Sequence, residues 1–364
     1  MADSPLLQAF DFQERWCREP APFTARVLGR TRLWLQADDP ARAVFDVVAA
    51  DPLAAAVPLR WVGALHHLAL RGQQPWAGLW PPASGALADA ELDAAIDDAI
   101  AAAWREEAAH VSAALALPPQ TNEVMRSAAL LPGLLWLAER CGLPLVLLEI
   151  GASAGLNLWP DRYRHDHGLW SWGDPAAALR LSSDWQGSTP PHTGVDLRIA
   201  RRAGCDAHPI DLGRPDEGLR LASFIWPEQA DRLARLSLAR AQAASWMAAE
   251  GVHVEALPAI EFVRRELARP APGCAKVLMH SVVWQYIAPA EQADLRQAIK
   301  AAGAAATTAE PLAWLRLEPR AKDGHVELRC RVWPEGRDEL LAHAHPHGAR
   351  IEWVAAAPGP TVGA

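Results

Sequence analysis

Hydrophobic and polar positions change rhythm once along this chain. Up to about residue 140 the apolar residues recur at helical spacing. Leu92, Ile96, Ile100, Trp104, Val111 and Leu115 form a loose stripe that predicts one helix from Asp89, as N-cap, to Pro118-Pro119. A second helix is expected over 123–140, kinked at Pro132 and closed by Gly142 in the C′ position. Leu145-Val146-Leu147-Leu148-Glu149-Ile150 then reads as a strand buried on both faces. Further strands are expected over 197–205, 252–257, 276–282 and 313–318, and helices over 155–162, 228–249 and 290–302. Strands alternating with helices imply a mainly parallel sheet covered on both faces. After Glu318 the alternation stops. Strands over 325–333, 340–344 and 349–354, joined by short turns, predict antiparallel C-terminal strands.

The expected organisation is a helical N-terminal region (1–119), an α/β domain (120–356) and a flexible tail (357–364). An insert at 166–194, holding Trp170, Trp172 and Trp185, interrupts the alternation as a hairpin or lid.

Composition narrows the class. With 51% apolar and 21% charged residues the 364-residue chain is globular. Its net charge of −8, with only three lysines and no basic run, argues against general nucleic-acid binding. Five scattered cysteines without a CxxC argue against a zinc ribbon or a disulfide framework and suggest a cytoplasmic protein. The N-terminus has no basic region of a secretory signal. The apolar stretch 127–138 is too short to span a bilayer, which takes about 20 residues.

The chemistry concentrates after the first buried strand. Glu149-Ile150-Gly151-Ala152-Ser153-Ala154-Gly155-Leu156-Asn157 is a strand end running into a small-residue turn. Small residues let a ligand approach the backbone, and free N–H groups at the start of a following helix favour polar or anionic groups. A dinucleotide GxGxxG lacks two of its glycines here, and the GK[ST] of a P-loop is missing. The run does match the GxSxG elbow of a serine hydrolase, with Ser153 as nucleophile and His343, His345 or His347 as a late histidine. No HGGG-type loop precedes it.

The pattern E-x-G-x-S-x-G resembles the first motif of Rossmann-like methyltransferases that use S-adenosylmethionine. That resemblance implies a doubly wound sheet, with Glu149, Gly151, Ser153, Gly155 and Asn157 around the cofactor. Asp206, in Gly204-Cys205-Asp206, falls where an acid accepts hydrogen bonds from the ribose hydroxyls. Glu255 falls where the third strand meets the adenine. His280 and Tyr286, at the end of the fourth strand, fall where that family faces the transferred methyl and are the catalytic candidates. No aromatic-proline motif of amino-methylating nucleic-acid enzymes follows that strand, so a small molecule or a protein is the expected acceptor. Asp211 is the substitute for Asp206.

The segments Gln120-Thr121-Asn122-Glu123-Val124-Met125-Arg126-Ser127, Glu149–Asn157, 223–236 and Pro346-His347-Gly348 also resemble an uncharacterised bacterial family of unknown function. Gln120, Asn122 and Glu123 stand before an apolar helix and are expected to line the substrate site. Thr121 or Asn122 would be the N-cap. A regulatory protein that keeps a nucleotide-binding fold without turnover is the competing class. His343, His345 and His347 alternate and would share one face of a strand. With Pro346 and Gly348 making a turn there, no metal site is expected.

Overall fold

The computed structural model describes residues 4–37, 43–45, 51–81, 85, 87–190, 192–320 and 326–355. The expected tail 357–364 and His325, the first residue of one expected strand, lie outside them. The chain forms two compact units. One comprises 1–121 and 213–237, the other 122–212 and 238–364.

The helical unit contains α1 (Pro5–Cys17), α2 (Pro22–Gln36), α3 (Val57–Leu70), α4 (Trp76–Leu79), α5 (Asp89–Glu106), α6 (Ala108–Ala116) and α8 (Pro215–Ser223). The helix expected from Asp89 is divided at Glu107, and Asp89 is its first helical residue rather than its cap. Glu91 reaches back instead and accepts the Ala88 N–H at 3.2 Å. Arg26 and Arg30 on α2 pair with Asp89, Asp93 and Asp97 on α5, joining two helices whose inner faces bury Val27, Leu28, Ile96 and Ile100. Glu228 accepts both the Thr24 N–H (2.8 Å) and its hydroxyl (2.9 Å), which fastens 223–236 to the start of α2.

The sheet unit is mixed α/β. Its central sheet has nine strands in the order β5-β12-β11-β10-β9-β8-β1-β6-β7 and is mostly parallel. The strands are β1 (Leu145–Ile150), β5 (Asp184–Gly187), β6 (Ile199–Asp206), β7 (Val254–Ala256), β8 (Ala275–Ser281), β9 (Leu312–Pro319), β10 (Val326–Trp333), β11 (Arg337–Ala344) and β12 (Arg350–Trp353). β7, β6, β1, β8 and β9 run parallel, and β9 to β12 form an antiparallel meander, as the loss of alternation implies. β10 starts at Val326 among the described residues, and β11 starts three residues earlier than expected.

Side chains alternate across β1. Val146, Leu148 and Ile150 pack with Leu278, Trp314 and residues of α10 (Ala259–Ala268) and α11 (Pro289–Ala305). Leu145, Leu147 and Glu149 point to the opposite face. That is the side of α7 (Ser127–Cys141), where Gly133 lets the helix approach Leu315 and Leu328. α10 was not expected, yet its buried Phe262, Val263 and Leu267 have helical spacing.

The insert contributes differently from a simple lid. β2 (Arg164–Asp166), β3 (Ser171–Trp172) and β4 (Arg180–Leu181) make a small three-stranded sheet, and β5 joins the edge of the large sheet beside β12. The helix expected over 155–162 does not form. Two 3₁₀ turns, Leu156–Leu158 and Pro160–Arg162, replace it, because Pro160 has no N–H with which to continue an α-helix. Arg202 on β6 holds this segment, donating to both Asp161 carboxylate oxygens at 2.7 Å and to Leu158 O at 2.7 Å. α9 (Ala230–Glu250) belongs in part to each unit. Among the described residues no helix is long and apolar enough to cross a membrane.

Candidate ligand site at the ends of β1, β6 and β8

β6 and β7 extend the sheet on one side of β1, and β8 and β9 extend it on the other. The chain therefore reverses its direction of travel across the sheet between β1 and β8. In open α/β sheets ligands bind outside the carboxyl ends of the strands at such a reversal. Glu149, the turn 151–155, Asp206 and the segment 280–286 all lie there.

The turn itself is closed. Gly151 (φ +66°) and Gly155 (φ +73°) adopt left-handed backbone, as their identity requires. A Cβ on Gly151 would lie 2.4 Å from Val283 Cγ2, and one on Gly155 would lie 2.4 Å from Met247 Cε. Protein side chains, not open space, thus explain both glycines. Four of the backbone donors are spent as well. Ala152 N–H donates to Cys205 O, Ser153 N–H to Asp206 Oδ2 (2.9 Å), Gly155 N–H to Ala152 O, and Leu156 N–H to Asn122 Oδ1 (2.8 Å). The expectation of free N–H groups at a helix start is corrected on both counts: no α-helix follows, and these four amides have partners.

The unspent chemistry is acidic. Glu149 is 1% exposed, and its Oε2 has no hydrogen-bond partner among the described residues. Burial holds its carboxyl well above the usual range; Arg126 opposes that shift and Asp206 adds to it. Asp206, half-buried at the end of β6, accepts the Ser153 N–H through Oδ2 and the His208 N–H (2.8 Å) through Oδ1.

Arg126, in the segment 120–127, was not a site candidate in the sequence. It is buried, donating to Ser281 O (3.0 Å) and Pro346 O (3.1 Å). Burial pushes its guanidinium below the usual value, opposed by Glu123, Glu318, Tyr286 and Glu149. Glu123, Glu149, Glu318 and Tyr286 lie near it, and the Pro346-His347-Gly348 turn accepts from it. Glu123, rather than Thr121 or Asn122, caps the next turn by accepting the Met125 N–H at 3.2 Å. Asn157 is fully buried and bonds Ser127 Oγ (2.8 Å), which makes it a support of the turn. Gln120 is buried but belongs to the helical unit.

The remaining expected residues separate from this group. Glu255 is held by Arg265 through two bonds of 2.5 and 2.7 Å, which depress its carboxyl below the usual range. Asp211 is exposed. β11 ends at Ala344, so His343 lies on the strand while His345 and His347 lie in the turn beyond it. The three do not share a face, and His345 Nδ1 accepts the His347 N–H at 3.1 Å. Ser153 is 7% exposed with left-handed backbone (φ +51°).

His280 and Tyr286 part company. Glu149 is level with Met279, so His280 points to the α11 face, away from Glu149. His280 is 1% exposed and both its ring nitrogens are engaged. Trp314 Nε1–H donates to Nε2 at 3.0 Å, and an indole can only donate. The proton therefore sits on Nδ1, which donates to Glu318 Oε1 at 2.5 Å. Glu318 also accepts the Val283 N–H (3.0 Å) and the Trp284 N–H (3.3 Å). These bonds secure a turn in which Val282 has φ +54°, a strained value for a β-branched residue. That turn seats Val283 over Gly151 and leaves Tyr286 74% exposed, its phenol close enough to Arg126 to raise the guanidinium's pKa.

No curated protein and no solved structure matches this chain. A family model does, described as "Uncharacterized protein conserved in bacteria (DUF2332)", and it spans residues 8–353, including Asn122, Arg126, Glu149, Asp206, His280 and the 345–348 turn. On that match the chain belongs to this bacterial family.

Proposed function

We propose that the sheet unit binds S-adenosylmethionine at the ends of β1 and β6, and that the protein transfers its methyl group to a small-molecule or protein acceptor. The observation that carries this reading is the buried Glu149 oxygen that has no partner among the described residues, one strand away from the Asp206 carboxylate at the end of β6. Phosphate recognition wants spare N–H donors; a ligand rich in hydroxyl donors and positive charge wants acceptors. The residues fit the cofactor: Asp206 would take the ribose hydroxyls and Glu149 the cationic part. The strand order supports a Rossmann-like assignment. Leaving aside the short strands of the insert, the parallel strands lie third, second, first, fourth, fifth.

When bound, the cofactor supplies a methyl on a sulfonium, which leaves by in-line displacement. Glu149 is the buried group whose ionised form favours a cation nearby, and Arg126 limits the cost of that ionisation. Tyr286, at the exposed rim, is placed to meet an acceptor. One feature favours a serine hydrolase instead, the left-handed backbone of Ser153. Its burial and its place after the first parallel strand weigh against that reading. Labelling of Ser153 by a fluorophosphonate would revive it.

Calorimetric titration of the full chain with S-adenosylhomocysteine tests the proposal. Binding is expected, weakened about ten- to a hundredfold by Asp206→Ala and less by Asp206→Asn, which keeps one acceptor oxygen. Melting temperatures are measured alongside, because Asp206 also bonds the backbone. Gly151→Val is a poor variant, since its Cβ would collide with Val283. Absence of binding by the parent protein would end the proposal.

A further inference from the structure

A cavity lies on the α11 face of the sheet, away from Glu149. Its volume is about 200 Å³, and it opens at the ends of β8 and β9 and the start of β10. Trp284 and Trp314 line it with ring centroids 5.6 Å apart and planes inclined at 56°. Four guanidinium groups, of Arg296, Arg316, Arg320 and Arg329, face two carboxylates, Glu318 and Glu327.

The carboxylates are already occupied. Glu318 serves His280 and two backbone amides, and Glu327 pairs with Arg329 (3.1 Å) and Arg320 (3.6 Å). The cations are less fully used. Arg316 bonds Asp338 through Nη2, but its buried Nε has no partner among the described residues. Among the described residues Arg296 bonds the neutral Gln292 side chain (3.0 Å), and its guanidinium sits 5.0 Å above the Trp284 ring. Arg316 lies likewise 4.5 Å from the Trp314 ring centroid. Spare N–H donors over two indole faces thus share one small space.

We propose that this cavity binds a small planar carboxylate, its carboxylate group on Arg296 and Arg316 and its flat body against the parts of Trp284 and Trp314 that line the cavity and that His280, Arg296 and Arg316 do not cover. A guanidinium presents paired donors that match a carboxylate. The lining carries an excess of only two positive charges, which suits a monoanion better than a phosphate dianion. The volume falls below the roughly 300–1,000 Å³ of sites for drug-sized molecules, so the ligand is small. The proposal does not depend on methyl transfer, because it uses the opposite face of the sheet.

The test uses the full chain and three probes by calorimetry: benzoate, acetate (charge without ring) and benzyl alcohol (ring without charge). Benzoate is expected to bind saturably and at least about tenfold more tightly than either control, since both contacts contribute. Arg296→Gln, at an exposed position of α11, is expected to weaken benzoate about tenfold or more. Lys300→Gln, also exposed on α11 but outside the lining, removes the same charge and is expected to leave the affinity unchanged. Equal affinities for benzoate and acetate, equal effects of the two variants, or no saturable benzoate binding would each overturn the proposal.

Discussion

The end of β8 separates two glutamates, Glu149 buried and Glu318 half-buried. On the α11 face Glu318 receives an imidazole N–H and two backbone N–H groups, and the imidazole it orients receives an indole N–H. On the other face Glu149 is more deeply buried, with an oxygen lacking any partner among the described residues and a carboxyl raised by burial. A polar group whose capacity is filled by its own chain has an architectural task. His280 and Glu318 brace the strained Val282 turn. A buried carboxyl left with spare capacity costs stability and so points to something the chain does not itself supply. The same contrast divides the imidazoles. His280 has both nitrogens bonded, whereas His165 Nδ1 and His167 Nε2 in the insert have no partner among the described residues.

The largest expected effect comes from those insert imidazoles. Burial holds His165 at about 3 and His167 at about 4, below the ordinary 6.5. Between these values and 6.5 the unfolded chain binds more protons than the folded one, so stability falls as pH drops through that window. Each imidazole contributes up to about 1.4 kcal/mol per pH unit. Urea unfolding at pH 6.5 and pH 5 measures this, and a parent whose stability is flat over that range would break the contrast.

Identical Glu→Gln changes on the two faces should then act with opposite sign. Glu318→Gln weakens the acceptor of three N–H groups and should cost about 2 kcal/mol in denaturant unfolding. Glu149→Gln replaces a group already pushed toward its neutral form. Since the folded pKa is raised, the carboxyl's contribution to stability declines as pH rises above 4.5, and the variant escapes that loss. It should be at least as stable as the parent at neutral pH, by a margin that grows with pH, while binding S-adenosylhomocysteine more weakly. Equal destabilisation by the two variants would show that Glu149 is as fully partnered as Glu318.

Much of this protein was legible one residue after another. Local alternation was enough for β1, the parallel series through β9 and the antiparallel strands after Glu318, whereas α10 was missed although its buried residues have helical spacing. The break of the 155–162 helix could have been read from Pro160, which removes an N–H. Arg126 carried only a weak signal, a polar residue ending a polar run.

What the tertiary structure alone decided is which partner each polar group finds. Amino-acid order makes His280 a candidate catalyst because it follows a buried strand. The strand's alternation and Trp314, 34 positions away, turn it to the opposite face and fill its last nitrogen. Order likewise makes the Gly151–Gly155 turn look open, whereas Val283, Met247, Asn122 and Asp206 arrive from distant segments to close it. Local sequence determines backbone conformation, because dihedral preference and solvent exposure are local. Hydrogen-bond satisfaction is not, and in this protein it distinguishes the residues that support the fold from Glu149, whose Oε2 has no partner among the described residues.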